Sequence, residues 1–553
     1  MRNIYLAVSL VLILPVSCRL TEKADRIYIN ASIWTGDTSN TQAEAIAIKN
    51  NTILFVGNDY LPYKGSNTEI TDLHGKMMVP GFIDNHTHFL AGGYQLASVD
   101  LRNSKTKPGF ITTLKTFIGT LRDNRWIRGG DWDHEAWGGD LPVKEWIDSI
   151  SGQHPIFINR YDGHMALVNT LTLRLAHISK HTPNPPGGEI VKDPKTGEPT
   201  GILKDEAMNL VIHIIPPLSE KELNESLQRA IQHAFSFGVT QVHDMGSYGG
   251  WPDLATYQNA YSNKNLALRI YSFVPTSDWR KLDSFVKKNG WGNDQLRWGG
   301  LKGFVDGSLG STTAWFYQPY LDAPTKTGLQ ITDTNLLRKW IIQADSAGLH
   351  VTTHAIGDRA NDWILNVYEE AENRNGKKDR RFRVEHAQHL TQKAIPRFVS
   401  LQVIPSMQPY HAIDDGKWAA KRLDSARLKG SYAFKSLLNT NAKLTFGTDW
   451  TVAPLDPMGG IYAAVTRRTL DDRNPDGWFP EQKISVQQAL TCYTVNNAYA
   501  GFQETKLGQL KTGMLADFAV LSDNLFTIAP EKIREVKILL TVVNGKEVYK
   551  RKE

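Results

Sequence analysis

Short apolar runs recur along the chain, each closed by Gly, Asn, Asp or Pro. Near the start, "DRIYINASIWTGD", "EAIAIKNNTILFVGN" and "TEITDLHGKMMVPGF" read as short strands separated by turns. Near the end, "GMLADFAVLSD" and "VKILLTVVNGKEVYK" do the same. Neither piece alone can bury one face of a sheet. Residues 26–80 and 506–553 are therefore expected to build one small β-sandwich domain from both chain termini.

Between them lie eight further apolar runs: "VPGFIDNHTH", "GVTQVHDMG", "LALRIYSFVP", "LKGFVDGSL", "LHVTTHAIGD", "FRVEHAQHL", "LQVIPSMQPY" and "LTFGTDWTV". Helical periodicity fills several of the gaps, as in "LSEKELNESLQRAIQHAFSFG" and "NLLRKWIIQADSAG", each closing on Gly. Eight strands with intervening helices predict an α/β fold, a parallel (β/α)8 TIM-type barrel over residues 81–505. The first connection is too long for one helix, so residues from about 100 to 235 are read as an insertion. It carries "WIRGGDWDHEAWGGD" and "PIFINRYDGHMALVN" and is expected over one mouth of the barrel.

Composition narrows the class. At 553 residues, 41% hydrophobic and 22% charged, the chain is globular and long enough for more than one unit. Its formal charge, 63 − 57 = +6, is spread without a basic block, so no nucleic-acid partner is expected. The opening "MRNIYLAVSLVLILPVSCRL" has a basic start, an apolar stretch too short to span a bilayer, and a small-residue site ending at Cys18. Residues 1–18 thus read as an export signal, similar to a bacterial lipoprotein signal except for Pro15 where an aliphatic residue is usual. The expected location is periplasmic, or membrane-anchored through a lipid on Cys18. Cys492 is the other cysteine, so no intrachain disulfide survives loss or acylation of Cys18.

Barrel enzymes gather their chemistry at the carboxyl ends of the strands. His86 and His88 stand two apart at the end of the first run and share one face of a strand. Alone they read equally well as a polar strand end. The same rule adds Lys302 on the fourth run, His354 on the fifth, His386 on the sixth and Asp449 on the eighth. Each has a structural alternative. His354 and His386 can be core histidines, with His389 a rival on the sixth run. Asp449 can cap a helix, and Lys302 can be an ammonium paired with Asp306 at i+4. Lys204 is the poorer lysine, since it lies in the insertion.

Taken in order, "MMVPGFIDNHTHF", "LKGFVDGSLGSTTAWF", "HAIGDRA", "RVEHAQHL", "PSMQPYHA" and "FGTDWTVAPLDPM" resemble the metal-dependent amidohydrolase superfamily. The nearest branch holds N-substituted formamide deformylases and related uncharacterised hydrolases. "LGQLKTGMLADFAVL" resembles that superfamily's return into its terminal sheet domain, and the likeness runs from about residue 26 to 550. It implies one or two Zn2+ ions, or another divalent metal. His86, His88 and Asp449 would hold one ion, His354 and His386 a second, with Lys302 as a bridging carbamate. Imidazole and carboxylate suit zinc, and a bound ion lowers the pKa of water to about 7, so hydroxide becomes available as a nucleophile.

Asp449 would then serve as general base and general acid. His164, in "YDGHMALVN", resembles a segment that reaches over the site; it is read either as a group on the substrate carbonyl or oxyanion, or as a structural hydrogen-bonding residue. Asp358 would orient His354 or start the following helix. Trp132, Trp137, Trp315 and Tyr410 would line a pocket or pack the core. The resemblance implies hydrolysis of a carbon–nitrogen bond other than a peptide bond, in a linear amide or N-substituted-formamide-like small molecule. Cyclic amides, imides or esters at the same centre are the alternative, as is a non-catalytic ligand-binding protein, and a homo-oligomer is compatible with either. A deaminase is less favoured, because no glutamate lies near His354; Glu385 precedes His386 and is expected to face the opposite way.

Overall fold

Each of the eight central runs forms a strand, and each strand is extended where its apolar residues are densest. They are β1 (Phe82–Thr87), β2 (Val239–Asp244), β3 (Arg269–Pro275), β4 (Leu296–Phe304), β5 (His350–Ala355), β6 (Arg383–His386), β7 (Ile404–Met407) and β8 (Thr445–Phe446). The computed structural model describes residues 21–552 apart from 122–123, 161–164, 186–187, 248–249 and 311. The export-signal reading, Cys18 included, and His164 lie outside the described residues.

The eight strands are parallel neighbours in chain order and curl into a nearly closed TIM-type barrel. Bonds across the gap between β8 and β1 join the end of β1 to the residues just beyond β8. The Asp449 N–H donates to the His86 carbonyl and the His88 N–H to the Trp450 carbonyl, each at 2.7 Å. Below them the Asn85 side-chain amide donates to Thr445 Oγ1 at 2.6 Å. Helices cover the outside, as a parallel sheet requires. Glu220–Ser236 begins with a capping box of Ser219 and Glu222 and buries Leu227, Ala230, Ile231, Ala234 and Phe235 in the barrel core. That helix belongs to the barrel, so the separately folded part of the insertion ends before it and short of residue 235.

The insertion has its own six-stranded sheet, running from Val99–Asp100 to Pro199–Asp205, over two small cores. Trp132 is fully buried there, with its indole N–H on the Ile158 carbonyl at 2.9 Å, and packs core instead of lining a pocket.

The two chain ends meet in one sheet. Phe518–Leu521 runs antiparallel to Met77–Pro80, with Phe518 opposite Pro80 and Leu521 opposite Met77. A four-stranded sheet built from Arg26–Ile29, Ala45–Lys49, Thr52–Gly57 and Glu69–Asp72 shares its hydrophobic core through Tyr28, Ile46, Met78, Phe518 and Val542. Arg269, at the foot of β3, ties this part to the barrel. Its guanidinium grips Asp517 at 2.5 and 3.0 Å, with both side chains buried. Arg269→Ala would strand the Asp517 carboxylate, and a loss of about 3–5 kcal/mol is expected in urea unfolding. A loss under about 1 kcal/mol would show the pair to be idle. No helix among the described residues is long and apolar enough to cross a membrane.

Candidate metal centre

The carboxyl ends of the barrel strands bring four histidines, a lysine and an aspartate together. His86 is the penultimate residue of the fully buried β1, and the chain then turns so that His88 starts the helix Phe89–Leu96. Asp244, closing β2, fixes that turn by accepting the Phe89 N–H at 2.8 Å. Lys302, His354 and His386 come from β4, β5 and β6, and Asp449 from the loop after β8. His386 and Asp449 carry positive φ angles of 73° and 59°. Such backbone costs on the order of 1–3 kcal/mol for a non-glycine residue, so the surroundings must hold it. At Asp449 they do: its own N–H is bonded to His86, and the preceding Thr448 gives its N–H and hydroxyl to the buried Asp84 carboxylate at 3.0 and 2.6 Å.

The distances are short. Asp449 Oδ1 stands 3.5 Å from His86 Nε2 and 3.4 Å from His88 Nε2. Lys302 Nζ lies 3.2 Å from His86 Nε2. The His386 ring is 5.0 Å from that of His86 and 4.5 Å from that of His354, centre to centre. One ligand atom each from His86, His386 and Asp449 falls within 4.8 Å of the others. The far nitrogens are fixed too, His88 Nδ1 on the Gly246 carbonyl at 2.7 Å and His386 Nδ1 on Gln408 Oε1 at 2.8 Å. His354 is less free, because its Nε2 faces the Gly307 carbonyl at 3.1 Å, which leaves Nδ1 as its open nitrogen.

Several expectations need correction. Glu385 does not turn away from His386. The left-handed backbone at His386 interrupts strand alternation, and both side chains reach His86. Glu385, fully buried, takes His86 Nδ1 at 2.5 Å and the Ser406 hydroxyl at 2.6 Å, is also bonded to the Thr352 hydroxyl, and stands 2.8 Å from the Arg383 guanidinium. Asp306 is not the partner of Lys302; it accepts the backbone N–H groups of Trp315, Ile356 and Gly357 at 2.7–2.9 Å. Asp358 starts its helix and accepts the Tyr317 N–H at 3.0 Å, and it makes no described bond to His354. His389 is bonded to Ser431 at 2.7 Å, and Lys204 pairs with Glu189, also at 2.7 Å, on the insertion. Trp137 donates to the Asp140 carbonyl, Trp315 stacks under Arg359, and Tyr410 packs beside the barrel core.

Burial dominates the electrostatics. It lowers His86 to about 4 and His354 to about 3, helped in both by the Lys302 charge, and holds His386 well below its usual value. These imidazoles are therefore neutral at pH 7, the form that ligates a cation. Burial also lowers Lys302 to about 8 against the pull of Glu385 and Asp449. For Asp449 burial would raise the carboxyl, yet the imidazoles of His86, His88 and His386 bring it well below the carboxylate range. His88 moves up, since Asp449 outweighs its own burial.

A metal ion fits this set. Asp449 Oδ1 is buried and has no hydrogen-bond donor. Two ligand atoms about 2.1 Å from a tetrahedral ion stand about 3.4 Å apart, the spacing found from Asp449 Oδ1 to both His88 and His86. An ionised oxygen without a donor, facing the neutral His86 nitrogen and the His88 nitrogen at that spacing, is half of a coordination sphere.

Comparison with known proteins places this geometry. The profile described as "Amidohydrolase family" matches residues 69–549. The chain is 41% identical to Protein LONG AFTER FAR-RED 3 of Arabidopsis thaliana over 95% of its own length and 92% of that protein. It is 25% identical to an N-substituted formamide deformylase of Arthrobacter pascens, over 96% and 99% of the two chains. The crystal structure of an uncharacterised metal-dependent hydrolase from Pyrococcus furiosus superposes with a TM-score of 0.75 at 29% identity, covering 91% of this chain and all of that one.

Proposed function

The chain belongs to the amidohydrolase family, and we propose that it hydrolyses a carbon–nitrogen bond other than a peptide bond, in a linear amide or N-substituted-formamide-like small molecule. The observation that carries this reading is the buried Asp449 Oδ1, which has no hydrogen-bond donor and stands among the neutral imidazoles of His86 and His386 and beside His88. The ligand set is then His86, His88 and Asp449, with His354 and His386 for a second ion and Lys302 between them. Zinc is the proposed metal, from the nitrogen and carboxylate donors. Once bound, such an ion supplies a water that is acidic near neutral pH and polarises the substrate carbonyl.

The remaining work falls to the chain. Asp449, ionised at neutral pH, takes a proton from the attacking water and returns it to the departing nitrogen. Lys302, lowered to about 8, keeps part of its amine neutral at pH 7. That amine can add to carbon dioxide and release a proton, and the resulting carbamate would offer the metal site an anionic ligand in place of an ammonium. Glu385 is bound by four partners and is not free to protonate a substrate, which weighs against deamination.

Glu385 instead orients His86 from behind. Glu385→Gln should weaken metal binding by about 10–100-fold, read by competition with a chromophoric chelator, because the amide loses the charge that fixes the imidazole tautomer. An unchanged metal affinity would reduce Glu385 to core packing. The same reading takes residues 26–80 and 506–553 as one β-sandwich domain, supported by their shared sheet, and residues 1–18 as an export signal that delivers the protein to the periplasm or, through Cys18, to a membrane. The function is tested by assaying a panel of small amides before and after chelation. Hydrolysis that is lost on chelation and restored by zinc supports it. Metal-independent turnover would refute it.

A further inference from the structure

A cavity of about 520 Å³ opens beside the centre, with His88 and Lys302 among its lining residues. Met245, Phe304, Leu337 and Trp340 supply its apolar walls and Ser247, Thr276, Ser277 and Thr332 its hydroxyls, none of which the chemistry above uses. No Asp, Glu or Arg is among the described lining residues. Phe304 follows Lys302 by two positions on β4 and so shares its face. Its ring is 5.3 Å from that of His354 and 5.1 Å from Lys302 Nζ, yet Phe304 remains 38% exposed. An aromatic ring is thus held against the centre with one side left open. Thr276 is 2% exposed, and its Oγ1 is buried without a hydrogen-bond partner. Gly303 keeps this wall open, since a Cβ there would come within 3.0 Å of Thr276 Oγ1 and 3.1 Å of a Leu337 methyl.

We propose that this cavity receives the substrate substituent next to the scissile bond, and that the substituent is uncharged and mainly apolar. The assignment rests on the hydrolase reading for the position of the bond, and on the cavity alone for the class of substituent. A charged head on a substituent that reaches past Lys302 to Leu337 and Trp340 would lose its hydration against apolar walls, with neutral hydroxyls and no opposite charge in return. An alkyl or aryl group gains from the same walls.

The test uses the full chain loaded with zinc and linear amides of one acyl group bearing N-hexyl, N-(5-carboxypentyl) or N-(5-aminopentyl) substituents, with a matched set carrying these groups on the acyl side. Equilibrium binding is followed by tryptophan fluorescence beside steady-state kinetics. The hexyl compound of at least one set should exceed its charged counterparts by at least about 100-fold in kcat/KM and bind more tightly. Trp340→Arg, and Phe304→Arg at the more exposed wall, should each narrow the preference over the carboxylate by at least about tenfold, mostly through KM. Equal binding and turnover across both sets, or an order that neither variant moves, overturns the cavity assignment. Uncharged compounds that bind in the predicted order without being hydrolysed would leave that assignment standing and refute the hydrolase reading.

Discussion

Asp449→Asn is expected to lower kcat/KM for a hydrolysed amide by about 1,000-fold or more, with most of the loss in kcat. Asparagine has the same shape, so the positive-φ turn and the bond from residue 449 to the His86 carbonyl can persist. The charge disappears. Without it nothing takes the proton of the attacking water, and the oxygen that faces His86 and His88 becomes a weaker ligand. His88 should titrate lower once its anionic neighbour is gone, because Asp449 is what holds its proton against burial. Steady-state kinetics together with circular dichroism make the check. Activity within tenfold of wild type in a folded variant would remove Asp449 from the chemistry.

His86→Ala should reduce turnover further, by about 10,000-fold, and remove bound metal. This ring joins the two halves of the site, with Nδ1 on Glu385 and Nε2 near Lys302 and Asp449. Its loss frees Lys302 and Asp449 to pair directly, which would fill the place of a cation with an ammonium. The fold should survive. Glu385 keeps Thr352, Ser406 and Arg383, so the buried carboxylate is not abandoned. Elemental analysis and kinetics on the folded variant would show both effects, and a variant that retained full metal and normal turnover would displace His86 from the centre.

Much of this was legible in the chain because barrel strands are buried on both faces and read as continuous apolar runs, so a polar residue at such a run's end stands out. His86, His354 and His386 were found in that way, and the structure brings them together. What escaped depended on backbone and long-range contacts. Strict alternation placed Glu385 away from the site, and only the left-handed φ at His386 reverses this. A signal was present all the same: Arg383 and Glu385 stand two apart on a fully buried strand, share a face, and must find partners there. Spacing at i+4 suggested that Asp306 serves Lys302, whereas the nearer demand is from three backbone N–H groups of later segments. The end of the insertion was misplaced because an amphipathic helix looks alike whether it covers an insertion or a barrel.

The central claim is that these side chains hold a cation. Diffraction from crystals of the full protein grown with zinc, recorded on both sides of the zinc absorption edge, tests it most directly. The account predicts an anomalous peak within bonding distance of Asp449 Oδ1, His86 Nε2 and His88 Nε2. Zinc-saturated crystals with no peak among those atoms, or with the peak elsewhere, would contradict it.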